Sequence, residues 1–499
     1  MSTLRVAVSG GELQGAVRRG LRMWRGIPYA TAERFKAPAA AAPWTGIREA
    51  RDFGPVAPQD RQGQFTGPPT GVPMSEDCLT LNVMAPPSGE RLPVIVWIHG
   101  GAYSVGSSRE IRRQGEVLVH EGVIFVSINY RLGALGWLDF TAYSTQFESN
   151  LGLRDQVVAL EWVRDNIRQF GGDPANVTLM GESAGANAVT TLMTVPAARG
   201  LFARAIAESP PPDAVYRRAV TAQWAEEYLE VLSEVVDNQS TDSTSPEDAG
   251  ELLLAASIDE LVAATTRMQR SAPDKHPGII ALCPVIDGDF LPERPLKAFG
   301  AGRAHPIPLI IGTNDREGSL FRGRLDILAT TPSRIRSIFA RTPKRARKAV
   351  KAQYPGLPAR RPAADFGGDY AFWYPTLKVA ERHSRFAPVH FYRFDIAPRL
   401  VRLAGFDATH GLEMFALFGL MDTRFGRAMG LLGGRPAFKR AGDRMRARWL
   451  AFARDGSIPD WPIYTSRKRR TLIIDHEDRV EEDPRAERRR AWQEFVRHV

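Results

Sequence analysis

Between an apolar strand-like run, Val177-Thr-Leu-Met180, and a helical stretch, Ala186 to Met193, the chain has only Gly181-Glu-Ser-Ala-Gly185. A G-x-S-x-G turn held between a strand and a helix forces the central serine into strained backbone geometry. Glycines two positions to either side remove the side-chain clashes such a turn would create. The helix that follows points its first backbone N–H groups toward any negative charge developing at Ser183. A strand must therefore end, and a helix begin, at one edge of a sheet.

The neighbouring sequence supplies that sheet. Pro93-Val-Ile-Val-Trp-Ile98 is continuously apolar, Val123-Ile-Phe-Val-Ser-Ile128 nearly so, and Leu81-Asn-Val-Met84 precedes a Pro-Pro turn. Runs of this kind suit strands covered on both faces, as in mostly parallel sheets. Apolar residues at 157, 160, 163 and 167 predict a helix over Asp155–Phe170, stopped by Gly171-Gly-Asp-Pro174. Strand runs resume at Pro308-Leu-Ile-Ile-Gly312, Val389–Phe394 and Thr471–Ile474, and a closing helix is expected from Pro484 to Val499. The alternation predicts an α/β fold with right-handed crossovers. No internal repeat is visible. We expect one domain over residues 1–499, with helical insertions at about 210–280 and 320–385 and a polar loop over Asp237–Asp248.

Composition narrows the class. With 43% hydrophobic and 24% charged residues, the chain is that of a globular protein and not a disordered or fibrous one. The formal charge of +10 comes from 66 basic against 56 acidic residues, mostly interleaved. Clusters such as Lys344-Arg-Ala-Arg-Lys348 read as solvated surface, and no nucleic-acid fingerprint accompanies them. Two cysteines, Cys78 and Cys283, exclude a disulfide scaffold, and no C-x-x-C ligand pair exists. The first ten residues lack a secretory apolar core, and no run of about 18 apolar residues spans a membrane. A cytoplasmic protein is the expectation.

The chemistry implied by Ser183 is acyl transfer. His99-Gly-Gly-Ala102 follows a strand, and an HGG-type loop pairs with the serine turn as a source of oxyanion donors. We assign the N–H groups of Gly101, Ala102 and Ala184 to that role. His99 precedes the nucleophile and is expected to be structural. A serine needs a base and the base an orienting carboxylate, in the chain order Ser, Asp/Glu, His. Of nine histidines, His99 and His120 come too early, and His276 and His305 leave little chain for an acid strand. His383 lies in a charged helix, His390 in a strand, His476 among acids and His498 in the tail. His410, in the loop Gly405-Phe-Asp-Ala-Thr-His-Gly411, is the choice. The acid should follow the strand Pro308–Ile311, and on the residues alone Asp315 and Glu317 both qualify.

The chain resembles the type-B carboxylesterase family, which includes bacterial para-nitrobenzyl esterases and the cholinesterases. The resemblance rests on Arg25–Ala30, Ser75–Asn82, Trp97–Ala102, Asn129–Leu132, Asn150–Gln156, Phe170–Pro174, Gly181–Gly185, Pro284–Gly288, Glu317-Gly318 and His410-Gly-Leu-Glu413. It implies an α/β-hydrolase fold and a serine carboxylesterase acting on small-molecule esters, with no metal or cofactor. It carries Ser183 over as nucleophile, Glu317 as acid and His410 as base, with Ser209 and Glu182 behind them. Glu317 is favoured over Asp315 because Gly318 follows it and because its longer side chain reaches farther. Aromatic and apolar residues near the motifs, Tyr103, Phe140, Phe321, Met414, Phe415 and Phe418, point to an apolar pocket. Three departures stand out. Ala186 replaces a usual glycine, Pro210-Pro-Pro212 replaces another and is expected to reshape the acyl pocket, and Cys78 lacks its usual disulfide partner. The alternatives are a catalytically silent adhesion-type relative, or a hydrolase of carbamates or amides.

Overall fold

The computed structural model describes residues 4–60, 71–109, 114–237, 245–321 and 326–495. Most of the polar 237–248 segment, and His498, lie outside the described residues. Eleven strands form the main sheet: β1 (Ala16–Arg18), β2 (Leu21–Pro28), β3 (Thr80–Ala85), β4 (Leu92–Ile98), β5 (Ile124–Ile128), β6 (Gly172–Glu182), β7 (Arg204–Glu208), β8 (Leu309–Asn314), β9 (Val389–Phe394), β10 (Arg470–Ile474) and β11 (Arg479–Glu482). Their order is β1-β2-β3-β5-β4-β6-β7-β8-β9-β10-β11. The six pairings from β5 to β10 are parallel and those at both edges antiparallel.

The continuous apolar runs are explained by burial on both faces. Along β4, Val94, Val96 and Ile98 enter one core cluster while Ile95 and Trp97 enter another on the opposite face. In β5 the same alternation sends Ile124, Val126 and Ile128 one way and Phe125 the other. Each such side chain contributes about 1.5–3 kcal/mol through burial, so neither face tolerates a polar period.

Several expectations shift at their edges, among them the closing helix, which runs over Ala486–Gln493. The helix predicted from Asp155 starts four residues earlier, as Leu151–Asn166 followed by a tight turn at Ile167–Phe170. Asp155 lies inside it, fully buried, and its carboxylate accepts from Arg131 at 2.7–3.2 Å. That partner was invisible to a local pattern. Beyond Gly171, strand β6 begins at Gly172 and not at Val177, with a register shift against β4 between the two. Helices Arg218–Asp237, Pro246–Ala255 and Ile258–Lys275 occupy the first predicted insertion. Pro332–Ala340, Lys344–Ala352, Arg360–Gly368 and Tyr374–His383 occupy the second.

Candidate active site

The serine turn forms as its spacing predicts. Ser183 has φ 57° and ψ −123°, between β6 and the helix Ala184–Leu192. A Cβ on Gly181 would meet the Gly185 carbonyl group at 2.6 Å, and one on Gly185 would meet the Ile98 oxygen at 2.1 Å. Both contacts are backbone on backbone, so neither position accepts a larger residue without moving the sheet. Ser183 is held from below by its N–H, which donates to the Glu208 carbonyl at 2.9 Å.

The loop after β4 lies against this turn. A Cβ on Gly100 would approach Ser183 Cβ at 3.1 Å. Gly101, Ala102 and Tyr103 all take positive φ, which turns the backbone around the space beside Ser183. Among the described residues, the N–H groups of Gly101, Ala102 and Ala184 donate to no protein acceptor. His99 is structural, as expected. It is buried and stacked on Tyr130 with ring centroids 4.4 Å apart, and Tyr130 donates its hydroxyl to the His99 carbonyl at 2.7 Å. Burial lowers the His99 pKa to about 4.

His410 arrives from the segment after β9. Its Nε2 lies 2.8 Å from Ser183 Oγ and its Nδ1 2.5 Å from Glu317 Oε2. Glu317 sits in the tight turn Glu317–Ser319 just past β8. Ser183, His410 and Glu317 thus meet at the carboxyl ends of neighbouring parallel strands, where open α/β sheets place their sites. Asp315 is excluded from this group. It accepts from Arg485 at 2.5 Å and lies 3.6 Å from Arg393. Burial would raise its pKa, but the two guanidinium groups outweigh burial and hold it below the usual carboxylate value.

Behind Glu317 lies a buried carboxyl cluster. Glu317 Oε1 accepts from the Asn314 N–H at 2.6 Å and from Ser209 Oγ at 2.7 Å. Ser209 Oγ is also 2.8 Å from Glu413 Oε1, and Asn314 Nδ2 donates to Glu413 Oε2. A hydroxyl has one proton and cannot donate to two carboxylates, so one of the two acids is protonated. Glu317 is met by three donors and Glu413 by fewer, so a proton on Glu413 gives every donor in the cluster an acceptor. Burial and the charges of Glu317 and Glu182 push Glu413 upward in the same direction. Burial likewise raises Glu182, whose Oε1 is 3.3 Å from His410 Nε2. For His410, burial disfavours the cation, but Glu317 and Glu182 outweigh it and the net shift is upward. Glu208 is buried, raised by desolvation, and bonded through one oxygen to Trp449 Nε1 at 3.0 Å.

Every predicted residue, Gly101, Ala102, Glu182, Ser183, Ala184, Ser209, Glu317 and His410, falls in this one neighbourhood. Sequence reasoning missed Asn314, Glu413 and Phe372. Glu413 stands three residues after His410, a helical spacing that could have found it. Phe372 packs on His410 at 4.5 Å beside Phe321 at 5.0 Å. It comes from a widened turn, Asp369–Trp373, which carries no local signature. Of the other apolar residues expected near the site, Phe140 packs on Phe35 and Tyr228, and Phe418 on Trp97 and Phe125, both within the core. Tyr103 stacks on Trp137 and bonds Asn187. Pro210 and Pro211 are fastened by their carbonyls to Thr376 and Asn187 at 3.0 and 2.7 Å. Among the described residues no group of three or more His, Cys, Asp or Glu could hold a metal ion.

The carboxylesterase family model matches residues 2–492. The para-nitrobenzyl esterase of Bacillus subtilis (strain 168) is 35% identical over 501 residues, covering 96% of this chain and 96% of that protein. The phenmedipham hydrolase of Pseudarthrobacter oxydans is 31% identical over 485 residues, covering 94% of each. A solved PNB esterase structure matches with a TM-score of 0.84 at 33% identity, over 98% of this chain and 100% of that one. Carboxylesterase EST55 of Geobacillus stearothermophilus matches with a TM-score of 0.80 at 31% identity, over 98% and 100%.

Proposed function

The chain belongs to the carboxylesterase family and is a carboxylic ester hydrolase of the α/β-hydrolase fold, and from that premise we propose that Ser183, His410 and Glu317 carry out the hydrolysis. Ser183 Oγ attacks the ester carbonyl while His410 Nε2 takes its proton. The tetrahedral oxyanion is held by the N–H groups of Gly101, Ala102 and Ala184. Collapse breaks the ester bond, and the leaving alcohol takes the proton from His410. Water then attacks the acyl-enzyme by the same route and frees the acid. Glu317 holds the imidazole tautomer and stabilises its cation. The upward shift of His410 makes it a stronger base.

The observation that carries this reading is the unbroken chain from Glu317 Oε2 through His410 to Ser183 Oγ, at 2.5 and 2.8 Å. Ser209, protonated Glu413 and Asn314 position Glu317, and Glu182 supports the His410 cation. Phe321 and Phe372 form the apolar wall that substrate meets beside His410. Residues 1–499 act as a single catalytic domain. The two buried free thiols, Cys78 and Cys283, support a cytoplasmic setting; among the described residues no helix is long and apolar enough to cross a membrane.

Labelling with an organophosphate and mass spectrometry tests the mechanism. Phosphorylation of the Ser183 peptide alone, with loss of activity on para-nitrobenzyl esters, is the expected result. Full activity after stoichiometric labelling elsewhere overturns it. The similarity to a phenmedipham hydrolase makes phenmedipham the second substrate to assay.

A further inference from the structure

Away from Ser183, the helices Pro295–Ala301 and Tyr374–His383 and the residues flanking them line an open, solvent-facing cavity of about 580 Å³. Its wall brings together Arg294, Lys297, Arg382 and Arg385 against one carboxylate, Asp213. Arg294 uses that carboxylate, donating to Asp213 Oδ1 at 3.0 and 2.6 Å. Lys297 is 3.7 Å from Glu293, which already pairs with Arg303. Arg382 feels the Asp213 charge that Arg294 also uses, and the wall holds no second carboxylate.

The guanidinium groups of Arg382 and Arg385 are fixed in place. Arg382 Nη1 donates to the Leu296 carbonyl at 2.5 Å, and Arg385 Nη2 to the Gly300 carbonyl at 2.7 Å. A Cβ on Gly300 would lie 3.7 Å from both Arg382 Nε and Arg385 Nη2, so the two cationic heads converge on one small region of the wall. Burial lowers the Arg382 pKa, and although Asp213 opposes this, Arg385 and Arg294 add to it. Four cationic heads share the single carboxylate of Asp213, which Arg294 already engages, so the wall keeps a net positive charge whose mutual repulsion is unfavourable. A bound anion relieves that cost, and planar guanidinium forks match phosphate and carboxylate oxygens geometrically.

We propose that this cavity is a binding site for a multivalent oxyanion of the phosphate class, free or carried on a small molecule, held by Arg382 and Arg385 with Lys297 and Arg294. The proposal is independent of the ester-hydrolysis reading, since none of these residues touches Ser183, His410 or Glu317.

Isothermal titration of the full chain with inorganic phosphate and with sodium tripolyphosphate at low salt tests it. One saturable site per chain is expected for at least one of the two, with the pair separating a single phosphate from a polyphosphate ligand. The double variant R382Q/R385Q should weaken binding about tenfold or more. The exposed control R336Q/R341Q removes the same charge and should change affinity less than about twofold. As a second route, Gly300→Glu places a carboxylate on the same wall, where a Cβ meets nothing closer than 3.5 Å, and should abolish binding. Ester hydrolysis by each variant reports that it is folded. Absence of a saturable site for both anions, unchanged affinity in folded R382Q/R385Q and G300E, or an equal loss in the control overturns the proposal.

Discussion

On the serine side of the site, Gly181, Ser183 and Gly185 lie within five residues, and the contacts that enforce their geometry are backbone against backbone, at Gly185 with Ile98 of β4. On the acid side, Glu317 meets a histidine 93 positions away, and Ser209 bridges to Glu413 across 204 positions. The first arrangement is a local strain held by the sheet. The second is a buried network whose proton count matters as much as its distances. The two halves therefore fail differently: the serine half through sterics, the acid half through charge.

The largest effect should come from removing the proposed nucleophile. Ser183→Ala is expected to fold normally and lose about 10³-fold or more in kcat; an active variant would sink the mechanism. On the acid side, Glu317→Gln should cost at least about 10²-fold, while Asp315→Asn, whose side chain faces Arg485, should cost less than about tenfold. Reversed magnitudes would transfer the role to Asp315.

The same variant also tests the electrostatics of the acid side. The proposed mechanism needs neutral His410, and its raised pKa places the acid limb of kcat/KM at higher pH than an isolated imidazole would. Removing the Glu317 charge lowers that pKa, so the limb should move to lower pH in Glu317→Gln even as the plateau falls. A limb that stays in place would show that Glu317 does not set the His410 charge.

Smaller changes separate sterics from proton count. Gly185→Ala, which puts a methyl group 2.1 Å from the Ile98 oxygen, should destabilise the fold by about 3 kcal/mol, read as a lower midpoint of thermal unfolding. Glu413→Gln keeps a neutral group that can donate to Ser209, and should stay within about threefold of the parent kcat. Glu413→Leu leaves Ser209 and Asn314 short of a partner, and should lose about tenfold. Equal rates in the two would argue against a protonated Glu413. The smallest expected signal is chemical. Cys78 and Cys283 should both alkylate without reductant, and only after denaturation, because both thiols are buried and burial raises their pKa. A Cys78–Cys283 disulfide in the native protein would overturn this.

Much of this was legible in the chain before folding. The G-x-S-x-G turn, the glycine pair after β4 and the two-sided apolar runs are dictated by steric exclusion and burial periodicity, which act between near neighbours. They marked the parallel sheet, the turn at Ser183 and the glycine loop proposed to hold the oxyanion. His410 was reached by elimination, and the choice of Glu317 over Asp315 needed family resemblance, because both carboxylates leave the same strand end within three residues. What turned Asp315 away is Arg485, 170 positions distant. The fourth acid, Glu413, acquires its role only where Ser209 has one proton to share, and Phe372 reaches His410 only because a helix widens by one residue at Asp369–Trp373. Local sterics are written in the order of residues. Proton placement and ion pairing depend on which distant groups lose water together, and only the tertiary structure decides that.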